Sequence, residues 1–161
     1  MSMSASLPLR VAVLDNDHVF LTLLRDVLTE AGYEACTLRP GIGAHEVLRT
    51  LAPAAIILDL PDDAGVLAWR LLALCARDAH LRHIPLLVCV PDDGHASDRA
   101  SALHHPRSTL VCKPFTLDAL LAHLERLLDP HADVYATHAT VATVPPQASA
   151  PLSARATASR A

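Results

Sequence analysis

Aromatic residues are scarce: Phe, Trp and Tyr make up 3% of the 161 residues. That composition excludes the stacked aromatic platforms on which single-stranded nucleic acids bind. An excess of positive charge is also missing, with 13 Lys and Arg against 17 Asp and Glu and a formal net charge of −4. Phosphate backbones are held by basic surfaces, so no nucleic-acid partner is expected. No apolar run reaches the length of a membrane span, and Arg70 interrupts the most apolar helical stretch, so no membrane insertion is expected. Met1 to Leu9 lacks the basic region and apolar core of a secretory signal. Cys36, Cys75, Cys89 and Cys112 are scattered and never spaced as Cys-x-x-Cys. A reduced, cytoplasmic chain is the expectation that follows.

What the chain does have is alternation. Ala54-Ala55-Ile56-Ile57-Leu58-Asp59 is an apolar run that ends on a carboxylate and breaks into the acidic loop Pro61-Asp62-Asp63. Such a run reads as a strand buried on both faces, the habit of a central parallel strand. Four more short strands are expected at Arg10 to Leu14, Tyr33 to Leu38, Pro85 to Val90 and Thr109 to Cys112. Between them lie helical stripes, the first carrying Phe20, Leu23, Leu24, Val27 and Leu28, and the last Leu117, Leu120, Leu121, Leu124, Leu127 and Leu128. Asp17 and Thr116 stand where helix N-caps belong, and Gly32 where a helix stops. About five strand–helix alternations with short connections predict a doubly wound α/β domain on a five-stranded parallel sheet. From Pro130 onward the periodicity ends in an Ala-, Thr-, Ser- and Pro-rich stretch. Three segments are therefore expected: an N-terminal extension (1–8), one α/β domain (9–129) and a disordered C-terminal tail without a second domain (130–161).

In an open parallel sheet, chemistry collects at the carboxyl ends of the strands. Asp15, Asn16 and Asp17 end the first strand, Asp59 the third and Lys113 the fifth. Clustered carboxylates offer hard oxygens to Mg²⁺, which uses one or two of them plus water and phosphate. An ammonium beside them balances phosphoryl charge. A carboxylate is also a competent nucleophile that forms aspartyl phosphates.

These residues resemble the receiver domain of two-component response regulators, a flavodoxin-like fold. The match runs over roughly Leu9 to Asp129 and rests on four motifs. They are Leu14-Asp15-Asn16-Asp17, Leu58-Asp59-Leu60, the connector Leu81-Arg82-His83-Ile84-Pro85 and the corner Lys113-Pro114-Phe115, whose Lys-Pro bond is cis in the family. The resemblance implies a signalling protein with Asp59 as phosphoacceptor and Lys113 contacting the phosphoryl oxygens. It implies Mg²⁺ held by Asp15, Asn16, Asp59 and the backbone carbonyl of Pro61, with Asp17 as an auxiliary ligand. The donor would be a histidine kinase or phosphotransfer protein. Output would pass to a protein partner through the fourth helix, fifth strand and fifth helix, with self-association as a further route. Such a chain is not a dedicated enzyme, its chemistry being limited to phosphorylation and dephosphorylation at Asp59.

The departures from the family pattern are specific. Asn16 stands where a second acid is usual, so Mg²⁺ affinity should fall. Val90 replaces the Thr or Ser that meets the phosphoryl group, a loss of roughly 1.5–3 kcal/mol for a charge-assisted bond. Leu110 replaces the aromatic that partners that hydroxyl. The loop after Asp59 is about two residues short, and Pro106 occupies a common glycine place. These changes support an alternative, a phosphorylation-independent pseudo-receiver acting as a protein-interaction module. Asp15-Asn16-Asp17 also resembles the first motif of haloacid-dehalogenase-type phosphatases, but the later lysine and acidic pairs come in the wrong order. His104-His105 and His80 with His83 lack companion ligands at metal spacing and read as solvated. Gly41-Ile42-Gly43 is too short to cradle phosphate, and Trp69 reads as packing.

Overall fold

Apolar runs of strand length and helical stripes of period 3.6 produce the elements expected of them. A computed structural model describes residues 7–60, 66–130 and, as backbone, 140–142. The order is β1 (Arg10–Leu14), α1 (His18–Glu30), β2 (Glu34–Leu38), α2 (Ala44–Leu51), β3 (Ala55–Asp59) and α3 (Val66–Arg77). It continues with β4 (Leu86–Pro91), α4 (Ala96–Ala102), β5 (Ser108–Lys113), α5 (Leu117–Leu128) and β6 (Thr140–Ala142). The strands pair in parallel in the order β2-β1-β3-β4-β5-β6. The doubly wound five-strand core is thus the architecture expected. The short β6, inside the stretch read as tail, adds a further strand beyond β5. Pro61, Asp62 and Asp63 lie outside the described residues, as does most of the tail.

Two apolar layers enclose the sheet, and strand parity decides which residues enter each. Ala12, Leu14, Ile56, Leu58, Leu86, Val88, Val90, Leu110 and Cys112 pack with α2 and α3. Val11, Val13, Ile57, Leu87, Cys89 and Val111 pack with Leu21, Leu24 and Leu28 of α1 and Leu120 and Leu124 of α5. Alternate residues point to opposite faces, so each strand serves both layers. Leu24 and Leu28 are 1% and 0% exposed; truncating either to Ala should cost about 2–5 kcal/mol. Trp69 packs against the first layer, as expected.

Caps fix where the helices begin. The Asp17 carboxylate accepts the Val19 and Phe20 N–H groups at 2.8 and 3.3 Å, and the Thr116 hydroxyl accepts Ala119 N–H at 3.2 Å. Gly32 follows α1 with φ +90°, a conformation that side chains other than glycine rarely adopt. One histidine departs from expectation. His104 is exposed, but His105 is buried. Its Nδ1 accepts the Arg107 N–H at 3.3 Å, and its carbonyl accepts the Ser108 hydroxyl at 2.9 Å. Burial pushes this imidazole below its ordinary pKa, favouring the neutral form.

Candidate functional site

The sheet order reverses direction between β1 and β3, and at such a point the loops beyond the strands part into a crevice. Parity then selects what faces it. Asp15 continues the alternation of Val11 and Val13, Asp59 that of Ile57, and Lys113 that of Val111. All three therefore leave the sheet on the α1/α5 side: Asp15 and Asp59 end adjacent strands, and Lys113 ends β5, one strand beyond β4 and two residues past the row of Asp59. They line one cleft of about 710 Å³, together with Asn16, Asp17, Phe20, Pro114 and Phe115.

Asp15 and Asp59 are 5% and 8% exposed. The Lys113 ammonium lies 2.5 Å from Asp59 Oδ1. The contact is an ion pair without hydrogen-bond geometry, so this buried oxygen has no hydrogen-bond partner. Asp15 Oδ1 accepts the Asp17 N–H at 2.7 Å, which ties the loop after β1 to the acid. Burial raises the Asp15 pKa above its ordinary value; the Asp17 N–H works against this, and the Asp59 charge adds to it. Two acids are thus held in a partly dry cleft with an ammonium paired to one of them, Asp59, an arrangement that favours an incoming cation or a group that shares the charge.

Hard oxygens are what the cleft offers to a metal. Among the described residues no three His, Cys, Asp or Glu side chains converge as a metal cluster. Two carboxylates and the Asn16 amide are nevertheless the set that Mg²⁺ uses, since it keeps several waters. The under-coordinated Asp59 Oδ1 fits such a ligand. Asp17, expected as an auxiliary ligand, has one carboxylate oxygen committed to capping α1. Pro61 lies outside the described residues.

Val90 and Leu110 do not line the cleft. Both are fully buried in the layer on the opposite face, with Cys112. The loop after β4 is instead held by Arg99. Its two terminal nitrogens each lie 2.6 Å from an Asp93 carboxylate oxygen, and Nη1 also reaches the Pro91 carbonyl at 3.3 Å. The Arg99 hydrogen bond, then the His95 N–H, bring the Asp93 pKa down to about 2. Sequence reasoning passed over this clamp, and it missed the aromatic wall. Phe20 and Phe115 stand 6.4 Å apart, centroid to centroid, with their planes inclined at 58°. Phe20 had signalled only a helix stripe. The Lys113-Pro114 bond is cis.

Comparison with known proteins gives the same picture. No family model matches the sequence. Response regulator MprA of Mycobacterium sp. (strain KMS) is 30% identical over 124 residues, covering 76% of this chain and 51% of that protein. MprA of Mycobacterium ulcerans (strain Agy99) is 31% identical over 121 residues, covering 74% and 50%. The chemotaxis response regulator CheY4 of Vibrio cholerae superposes with a TM-score of 0.63 at 20% identity, over 74% of this chain and 98% of that one. The chain has the fold of response-regulator receiver domains. It spans about half the length of the curated relatives it matches. The receiver domain of the sensor histidine kinase PA1611 from Pseudomonas aeruginosa, with magnesium coordinated in its active-site cleft, aligns at a TM-score of 0.63 and 19% identity, over 75% of this chain and 98% of that one. Among the described residues no helix of the receiver is long and apolar enough to cross a membrane.

Proposed function

We propose that this receiver, in the cytoplasm, takes a phosphoryl group onto Asp59 from a phosphohistidine of a histidine kinase or phosphotransfer protein. The observation that carries the reading is the buried Asp59 carboxylate flanked by Asp15 and the Lys113 ammonium. An Asp59 oxygen attacks phosphorus, the P–N bond breaks, and the imidazole leaves with the electron pair and takes up a proton. Bound Mg²⁺, held by Asp15 and Asp59 with Asn16 alongside, would neutralise charge on the transferring group. Asp15 is buried enough that it gains by sharing its charge, and Lys113 is free to turn from the carboxylate to a phosphoryl oxygen. Phe20 and Phe115 form one wall of the cleft. Output would run through α4, β5 and α5 to a downstream protein or a second copy.

A second reading has its own support. The buried Val90 and Leu110 and the Arg99–Asp93 clamp favour a module that binds its partner without phosphorylation. Incubation with Mg²⁺ and a small phosphodonor, followed by intact-mass measurement, separates the two. An adduct that vanishes in Asp59→Ala supports phosphorylation. Its absence, with partner binding unchanged in Asp59→Asn, supports the interaction module.

A further inference from the structure

A parallel sheet that ended at β5 would present a row of unpaired N–H and C=O groups. The sequence of that strand, Ser-Thr-Leu-Val-Cys-Lys, has no proline and only a terminal lysine to deter another strand. The edge is nevertheless occupied. Thr140, Val141 and Ala142 pair in parallel with Thr109, Leu110 and Val111, and the same segment lies against α4. Helix α5 runs back along the sheet between β5 and β6, the crossover that a parallel addition requires.

We propose that β6 is a built-in cover of the β5 edge, and that its departure opens this edge to a partner's extended strand. The proposal rests on the reading that output runs through α4, β5 and α5, and adds the regulation of that face. A three-residue ladder is short compared with the usual five or six residues of a strand. Tethering compensates by giving the segment an effective concentration on the order of millimolar. A partner strand that pairs with the whole of β5 and fills side-chain pockets can outcompete such a cover, whereas a stray peptide of millimolar affinity cannot. The partner is therefore an extended segment rich in β-branched and small residues, like the Thr-Val-Ala that now occupies the site.

The test uses the full chain and Val141→Pro/Ala142→Pro. Successive N–H groups point to opposite sides of a strand, so one of the two prolines must remove a ladder donor. Val141→Gly/Ala142→Gly keeps every N–H and only lowers strand propensity; it should show a weaker form of the same effect. Both pairs change only the three-residue edge strand, so melting should stay close to wild type. In hydrogen exchange, alternate β5 amides should quicken by about tenfold in the proline variant, the protection given by a cover closed nine-tenths of the time. A synthetic peptide of residues 136–146, titrated by NMR to a few millimolar, should shift Thr109 to Val111 in the proline variant and leave wild type unmoved. Equal β5 exchange in wild type and variant would overturn the cover. An opened edge that takes no peptide, or peptide binding elsewhere, would overturn the strand-acceptor role. Neither readout depends on an Asp59 adduct, so this inference and the phosphorylation reading fail separately.

Discussion

Lys113→Met is the sharpest probe of the cleft. The substitution keeps the length and volume of the stem and removes the ammonium paired with the buried Asp59 carboxylate. Breaking one member of a fully buried ion pair costs about 3–5 kcal/mol, mostly because the other charge stays behind unpaired. The Lys113 side chain is 37% exposed, so water already screens the pair, and about 2 kcal/mol is the reasonable share. At about 2–4 °C per kcal/mol for a chain of this size, the melting temperature should fall by about 4–8 °C. Asp59→Asn in the same background should return most of the loss, because the abandoned carboxylate is gone. The assay is a double-mutant cycle by thermal unfolding at pH 7 with a chelator present, so that no cation replaces the ammonium. A Lys113→Met chain that melts with wild type, or a coupling within about 0.3 kcal/mol of zero, would refute the electrostatic account of the cleft.

Three further outcomes follow from the same geometry. Burial raises the Asp15 pKa above the ordinary 3.8, so the folded chain binds this proton more tightly than the unfolded chain. That contribution to stability is complete at lower pH and is lost as pH rises through the folded value; Asp15→Asn should therefore melt higher than wild type at pH 7, with the gap closing toward pH 4 in a pH series of melts. Val90→Thr puts a hydroxyl into the fully buried layer on the face opposite the cleft, and an unpartnered buried hydroxyl costs about 1–3 kcal/mol; a loss under about 0.5 kcal/mol in urea unfolding would mean that the hydroxyl has found a partner there. Arg99→Gln should bring the Asp93 pKa up from about 2 toward the free value of about 3.9, read by carboxyl NMR titration; a pKa that stays low would assign the effect to the His95 N–H.

Much of this was readable from local chemistry. Asp17 and Thr116 announce helix starts because a short side-chain oxygen satisfies N–H groups that no carbonyl can reach. The β3 run ends on Asp59 in sequence and in space, because an unbroken apolar stretch must be buried on both faces. Ladder parity even brings Asp15, Asp59 and Lys113 to one side. What escaped depends on chain segments far apart in sequence. The Phe20–Phe115 wall joins α1 to the turn between β5 and α5, and neither residue differs in type from ordinary core. His105 lies buried where its sequence neighbours, His104 and Pro106, suggested solvent; its partners are set by the turn into β5. The three residues of β6 are too few for period-2 alternation to register, and their strand is defined by the edge they join.

The burial of Val90 and Leu110 bears on how such a domain could transmit information. A switch needs two populated arrangements, and driving it from one part in a hundred to ninety-nine takes about 5.5 kcal/mol of differential binding. A hydroxyl reaching the cleft from the end of β4 would supply about 1.5–3 kcal/mol of that by a charge-assisted bond, but position 90 faces the opposite layer. Without it, and with an aliphatic side chain where a swinging ring would stand, a group added at Asp59 has little leverage on the distant core. The response of a partner would then scale with the added charge at the cleft mouth, making this a rheostat whose output is graded and sensitive to ionic strength.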